Sequence, residues 1–172
     1  MSLEKVILVD ENDQQIGLME KIEAHEKALL HRAFSVFVLN SKNELMLQRR
    51  ALHKYHSPGL WTNTCCSHQR DGETTMDAGL RRLQEEMGFV TPLQEKFSFI
   101  YKAEFDNGLT EHEYDHVLLG HFENEPIINP DEVAEWKWMP ILEVQNDIEN
   151  NPEDYTPWFR IIFEKFYENL LH

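Results

Sequence analysis

Cys66 and His68 are the first residues of this chain that could do chemistry. They lie two apart in the run Trp61-Thr62-Asn63-Thr64-Cys65-Cys66-Ser67-His68. If that run is extended, alternate side chains share a face, so Cys66 and His68 point one way and Cys65 the other. A thiol can act as nucleophile or acid/base, and an imidazole can hold a metal. The alternative for Cys66 is a small buried hydrophobe, the usual role of an isolated cysteine.

Further metal-binding types occur elsewhere. His25 and His31 flank a short segment, and Glu111 and Glu113 are separated by one residue, so on a strand they share a face. With His68 they make a mixed nitrogen and oxygen donor set, suited to a divalent cation such as Mn²⁺, Zn²⁺ or Mg²⁺. Spacing alone does not bring these residues together, and solvated acids with surface histidines remain the alternative. A third group lies in the run from Glu73 to Glu86, where Arg81–Glu85 and Arg82–Glu86 are spaced four apart. On a helix these pair, either as an exposed salt-bridged face or as part of a site.

These residues need elements to hold them. Lys5 to Asp10 reads as a first strand, followed by a turn at Glu11-Asn12-Asp13. Ala33 to Asn40 and Glu44 to Gln48 are apolar or alternating runs split by Ser41-Lys42-Asn43, the pattern of a β-hairpin. Ser57-Pro58-Gly59 breaks the chain before the Cys-His run. Thr74 to Met87 reads as a helix with a Thr74/Asp77 cap, an apolar stripe of Leu80, Leu83 and Met87, and a stop at Gly88. Phe97 to Phe105 and Tyr114 to Phe122 read as strands joined through Asp106-Asn107-Gly108. Glu135 to Met139 is a short aromatic strand, and Ile141 to Ile148 a brief helix. Trp158 to Leu171 is an amphipathic helix with Phe159, Ile162, Phe163, Phe166 and Leu170 inward. Strands interleaved with helices predict an α/β or α+β sandwich.

Length and composition narrow the function classes. With 172 residues, 41% hydrophobic and 11% aromatic, one domain, residues 1–172, can bury a full core without crosslinks. Two adjacent cysteines can neither staple a secreted fold nor complete a four-cysteine zinc site, so a reducing cytoplasm is the expected setting. No apolar run approaches membrane-spanning length, and no basic-then-apolar signal pattern opens the chain. A formal charge of −15 disfavours nucleic acid and anionic membrane as partners. An anionic small molecule would need a local cationic pocket or a bridging metal. Oligomeric state is left open.

The motifs also carry a resemblance. From Ser67 to Phe89 the chain resembles a Nudix box, which has a glycine, a glutamate six residues on, then Arg-Glu-aliphatic-x-Glu-Glu-x-Gly. Glu73, Arg81, Leu83, Glu85, Glu86 and Gly88 fall on that pattern. Ser67 replaces the leading glycine, and Arg82 replaces a glutamate that a hydrolase of this class would use to hold metal around an attacking water. With His25-x5-His31, HRAFSVF, QRRALHKYHSPGLWTNTCCSH, ETTMDAGLRRLQEEMG and EHEYDH, the chain from about Lys21 to Trp158 resembles the type I, metal-dependent isopentenyl-diphosphate isomerases. Gln69 stands where that family often has proline.

The resemblance implies a Nudix-like mixed β-sheet sandwich with flanking helices and an isoprenoid diphosphate as small-molecule substrate. Cys66 matches the catalytic cysteine, and His25, His31 and His68 match three metal ligands. Glu111 matches a fourth ligand. Glu113 matches a residue that is both ligand and acid/base, with Tyr101 hydrogen-bonded to it. Glu86 matches the ligand of a Mg²⁺ bridging to the diphosphate. Lys21, Arg50, Lys54 and Arg82 match cations around that diphosphate, and Trp158 matches a tryptophan over the carbon skeleton. The implied reaction is a 1,3-allylic proton shift. It needs a strong proton donor, a base on the far side and a way to stabilise a tertiary cation without water. The competing enzymatic reading is a Nudix pyrophosphatase, and the non-enzymatic one is a metal-holding module that keeps only the fold.

Overall fold

The computed structural model describes residues 4–54, 57–105 and 107–171. Asp106 of the expected turn and the side chain of Leu170 lie outside the described residues. The strands are β1 (Lys5–Val9), β2 (Gln15–Glu20), β3 (His31–Leu39), β4 (Glu44–Arg50), β5 (Trp61–Thr62), β6 (Cys65–Ser67), β7 (Leu93–Glu104), β8 (Thr110–His121) and β9 (Val133–Pro140). The helices are α1 (Lys21–Glu26), α2 (Thr75–Met87), α3 (Ile141–Asn150) and α4 (Pro157–Leu171).

β3 organises the molecule. It runs parallel to β8 from His31↔Glu113 to Leu39↔His121, and antiparallel to β6 through Ser35↔Cys66 and Val36↔Cys65. β7 extends the sheet beyond β8. β4 pairs with β5 on one side and β9 on the other.

The β-hairpin expected between 33–40 and 44–48 forms only at its turn. β3 and β4 meet in register at Leu39↔Leu45 and then diverge, because each finds its long ladder elsewhere. Side chains from the segment between β5 and β6 fill the opening. Thr64 Oγ1 accepts from Val38 N at 2.9 Å and donates to Met46 O at 2.7 Å. Asn63 Nδ2 donates to Val36 O and Cys65 O at 3.0 and 2.8 Å. Both residues are fully buried, so these bonds satisfy backbone groups that would otherwise be costly to leave unpaired.

Alternation divides the core between the two faces of the sheet. Phe34, Val36, Val38, Met46, Cys65 and Leu118 pack against Leu83 and Met87 of α2. Phe37, Leu47, Val117 and Leu119 face Val144 of α3 and Phe159, Ile162, Phe163 and Phe166 of α4. The α2 cap forms as its sequence predicts, with Thr74 Oγ1 accepting from Asp77 N at 3.0 Å. Gly88 ends the helix at φ +72°, where an added Cβ would lie 2.3 Å from Ile127 O. Gly88→Ala should therefore destabilise the fold by at least about 1–3 kcal/mol, read as a lower denaturant midpoint. An unchanged midpoint would contradict this account of the helix end.

β2 and α1 have no counterpart in the sequence-based reading. β2 is an edge strand with half-exposed alternation and a central glycine, and α1 has six residues, too few for a helical period to show.

Candidate active site

The metal-binding types converge at one end of the β3–β8 ladder. His31 sits opposite Glu113 across the parallel pair, and Tyr101 sits opposite Glu113 across the β7–β8 pair. His25 reaches in from α1, and His68 comes from the position just after β6. One donor atom from each of His25, His31, His68 and Glu113 lies within 4.8 Å of the others. The three imidazole centroids are 5.0, 5.8 and 5.0 Å apart. Glu111 stands at the margin of this group, with Oε1 3.8 Å from His25 Nε2.

The hydrogen bonds fit a cation. His25 Nδ1 lies 2.6 Å from Lys21 O and His31 Nδ1 lies 2.9 Å from Leu29 O. A carbonyl can only accept, so each Nδ1 carries the proton, and a neutral ring then offers a lone pair at Nε2. His31 Nε2 and His68 Nε2 face the same Glu113 Oε2 at 3.3 and 3.0 Å. For a neutral His31 that places lone pair against carboxylate, an arrangement a divalent cation relieves. Burial lowers the His68 pKa despite the opposing pull of Glu113, which favours a neutral ligand. At Glu113 burial acts upward, but the close imidazoles of His31 and His68 outweigh it and hold the carboxyl well below its ordinary range.

Tyr101 lies behind the two glutamates. Its hydroxyl is 2.9 Å from Glu111 Oε2 and 2.5 Å from Glu113 Oε1. Burial, with both nearby carboxylates, pushes the phenol upward and keeps it a donor. Asp115 continues the row two residues on. It is fully buried, and its Oδ1 accepts from Ser35 Oγ at 3.1 Å. Burial and the Glu113 charge raise its pKa well above the ordinary value, which favours the neutral acid. Sequence reasoning stopped at Glu113. The period-two row Glu111, Glu113, Asp115 was the signal that could have found it.

In front of the metal group lies a cavity of about 140 Å³. Lys21, Arg50, Lys54, Arg82, Glu86, Cys66, His68, Glu111, Glu113 and Trp158 all line it, and His25, His31 and Tyr101 stand behind. Burial, then the Glu86 charge, pushes the Cys66 thiol far above its usual range, and Arg50 offsets only part of this. Cys66 is therefore a protonated thiol. Cys65 is buried on the opposite face against α2.

Arg82 and Glu86 form a partly buried pair. Arg82 Nη2 is 2.8 Å from Glu86 Oε2, whose other oxygen accepts from Gln48 Nε2 at 3.0 Å. The Arg50 guanidinium lies 5.0 Å from the centroid of the Trp158 ring, so this tryptophan backs a cation of the cavity. Glu4, Gln48, Ser67 and Glu132 also line the cavity and were not anticipated. In a chain this rich in acids, Glu4 and Glu132 carry no distinguishing sequence signal.

Comparison with known proteins agrees with the fold. The NUDIX domain family matches residues 29–159, which sets the class as NUDIX-fold proteins. A crystal structure from Deinococcus radiodurans shares the fold with a TM-score of 0.79 at 21% identity, covering 94% of this chain and 98% of that one. The MutT protein of Methanosarcina mazei does so at 0.66 and 18%, covering 81% and 94%. Among curated relatives, isopentenyl-diphosphate Delta-isomerase 2 of Photorhabdus laumondii is 53% identical over 92% of this chain and 90% of its own length. Isopentenyl-diphosphate Delta-isomerase 2 of Aromatoleum aromaticum is 49% identical over 94% and 86%. The chain belongs to the isopentenyl-diphosphate Delta-isomerase family.

Among the described residues no helix is long and apolar enough to cross a membrane. Both cysteines are free thiols.

Proposed function

We propose that Cys66 and Glu113 are the two proton-transfer groups by which this protein interconverts isopentenyl and dimethylallyl diphosphate, in isoprenoid biosynthesis. The observation that carries this is their meeting in one cavity with Lys21, Arg50, Lys54 and Arg82. They stand on the two strands that flank β3, on the same face of the sheet. A thiol and a carboxyl are both acid/base groups, so the pair can deliver a proton to one carbon of the alkene and remove one from another. The allylic shift uses both: the terminal carbon of the alkene gains a proton, and the carbon two positions away loses one.

His25, His31, His68, Glu111 and Glu113 would hold a divalent cation, for which Mn²⁺, Mg²⁺ and Zn²⁺ all suit the donors. When bound, it supplies positive charge that tunes the acidity of the Glu113 carboxyl. Tyr101 holds Glu113 in place by donating its hydroxyl proton. Glu86 would hold a Mg²⁺, which would supply positive charge to offset the negative charge of the diphosphate. Lys21, Arg50, Lys54 and Arg82 bind the diphosphate, and that anchoring positions a five-carbon chain with no polar handle of its own. Trp158 closes the cavity with an aromatic surface whose π electrons favour a passing tertiary cation.

The test is incubation of metal-loaded protein with isopentenyl diphosphate in deuterated water. Dimethylallyl diphosphate carrying deuterium is expected. Inorganic phosphate or pyrophosphate without isomerised product would instead establish hydrolysis.

Arg82 separates these outcomes at the level of one side chain. A guanidinium can pair bidentately with phosphate but cannot coordinate a cation. Arg82→Ala should weaken substrate binding by about 1.5–3 kcal/mol, with metal content at the histidine group unchanged. Unaltered kinetic constants would reduce Arg82 to a partner of Glu86.

A further inference from the structure

We infer that Glu132 is a positioning residue of the diphosphate subsite: its carboxylate holds Lys54 and Arg82 in place to receive the substrate. This rests on the isomerase reading of the cavity. A carboxylate in the wall of a pocket that must take a polyanion is unfavourable by simple repulsion. Its neighbours show what offsets that cost.

Glu132 Oε2 forms an ion pair with Lys54 Nζ and lies 3.5 Å from Arg82 Nη2. All three residues line the cavity and are about three-quarters buried at the side chain. Their pairing is therefore less screened than a surface pair. The charges of Lys54 and Arg82 in turn hold the Glu132 carboxyl below its ordinary range against the upward effect of burial.

The two cations depend on Glu132 unequally. Arg82 is also fastened by Glu86 on its own helix and reaches Glu85. Lys54 sits on the irregular segment after β4, and among the described residues its ammonium has no other carboxylate partner. The backbone repeats this attachment. Ala51 N donates to Glu132 O at 3.1 Å, and Lys54 N donates to Ala51 O at 3.3 Å.

The pairing of β4 with β9 shifts register between Arg49 and Arg50, so that Arg50 falls opposite Val133, the residue after Glu132. An irregularity of this kind bends a strand and re-aims its side chains. Here it lies where Arg50 and Glu132 both turn into the cavity. Glu132 thus joins the β4 exit, β9 and α2 across the site, and fixes the separation of two cations that would otherwise repel each other.

Steady-state kinetics of Glu132→Gln test this. KM for isopentenyl diphosphate should rise roughly tenfold, about 1.4 kcal/mol, with kcat within about twofold. Inhibition by inorganic pyrophosphate should weaken in parallel, because that probe reports the subsite without the carbon chain. In a Lys54→Ala background the same substitution should raise KM much less, since its main client is gone. A merely structural role would lower the unfolding temperature without this split. Glu132→Asp, which keeps the charge on a shorter arm, should fall between wild type and Gln, and it carries the test if Gln does not fold. An unchanged or lower KM in the tested variant overturns the inference, the lower value marking Glu132 as an obstacle that substrate displaces. Wild-type protein that does not isomerise at all would instead overturn the reading on which it rests.

Discussion

Cys66→Ala should abolish isomerisation, with a loss of at least about 10²–10⁴-fold expected for removing one acid/base group, while Cys65→Ser keeps most of the activity. The two thiols are adjacent in sequence but separated by the sheet. Cys66 lies opposite Ser35 and lines the cavity; Cys65 lies opposite Val36 and packs against α2. Serine at position 65 places a hydroxyl in an apolar core, so the cost there falls on stability, about 1–3 kcal/mol, and rates must be compared well below the unfolding transition. Product formation from isopentenyl diphosphate and deuterium uptake are the two measurements. An active Cys66→Ala protein would remove the thiol from the mechanism, and an inactive but folded Cys65→Ser protein would mean that the assigned faces are wrong.

Glu113→Gln should be equally damaging for a different reason. The amide keeps the size of the side chain and its place opposite Tyr101, but it can neither accept a proton nor carry charge. The oxygen that His31 and His68 both face becomes part of a neutral group, so the variant should lose divalent cation as well as turnover. Metal content of the purified protein checks the first effect, and isomerisation with added cation checks the second. Wild-type metal content with no turnover would separate the acid/base role from the ligand role. Retained turnover would refute the assignment. Removing Glu111, which stands at the margin of the donor group, should affect metal content less than removing Glu113.

Much of this site was legible because its residues announce themselves by spacing. The two-residue steps Cys66-x-His68 and Glu111-x-Glu113 pointed to shared faces without reference to any fold, and all four side chains line one cavity, with the Tyr101 hydroxyl against both glutamates. The α2 cap and the stop at Gly88 followed from local rules and hold in detail. What the sequence hid was long-range partnership. Nothing in 33–40 and 44–48 shows that the two strands part after one residue pair, since that outcome depends on β8 and β9, 82 to 96 residues away. Glu132 was hidden for the same reason. Its role depends on the cations placed around it, not on its neighbours in the chain. α1 was too short to reveal a period, yet it delivers both His25 and Lys21.

The opening between β3 and β4 has a consequence for measurement. The amide of Val38 sits deep in the sheet, yet it is closed off by the hydroxyl of Thr64 and not by a neighbouring strand. Its proton can exchange with solvent when the short segment carrying Cys66 lifts, even while the β3–β8 and β4–β9 ladders stay intact. Protection at this one amide would thus act as a gauge of how firmly the thiol-bearing strand is seated. Because the gauge belongs to the backbone, it could be read in variants that no longer turn over substrate.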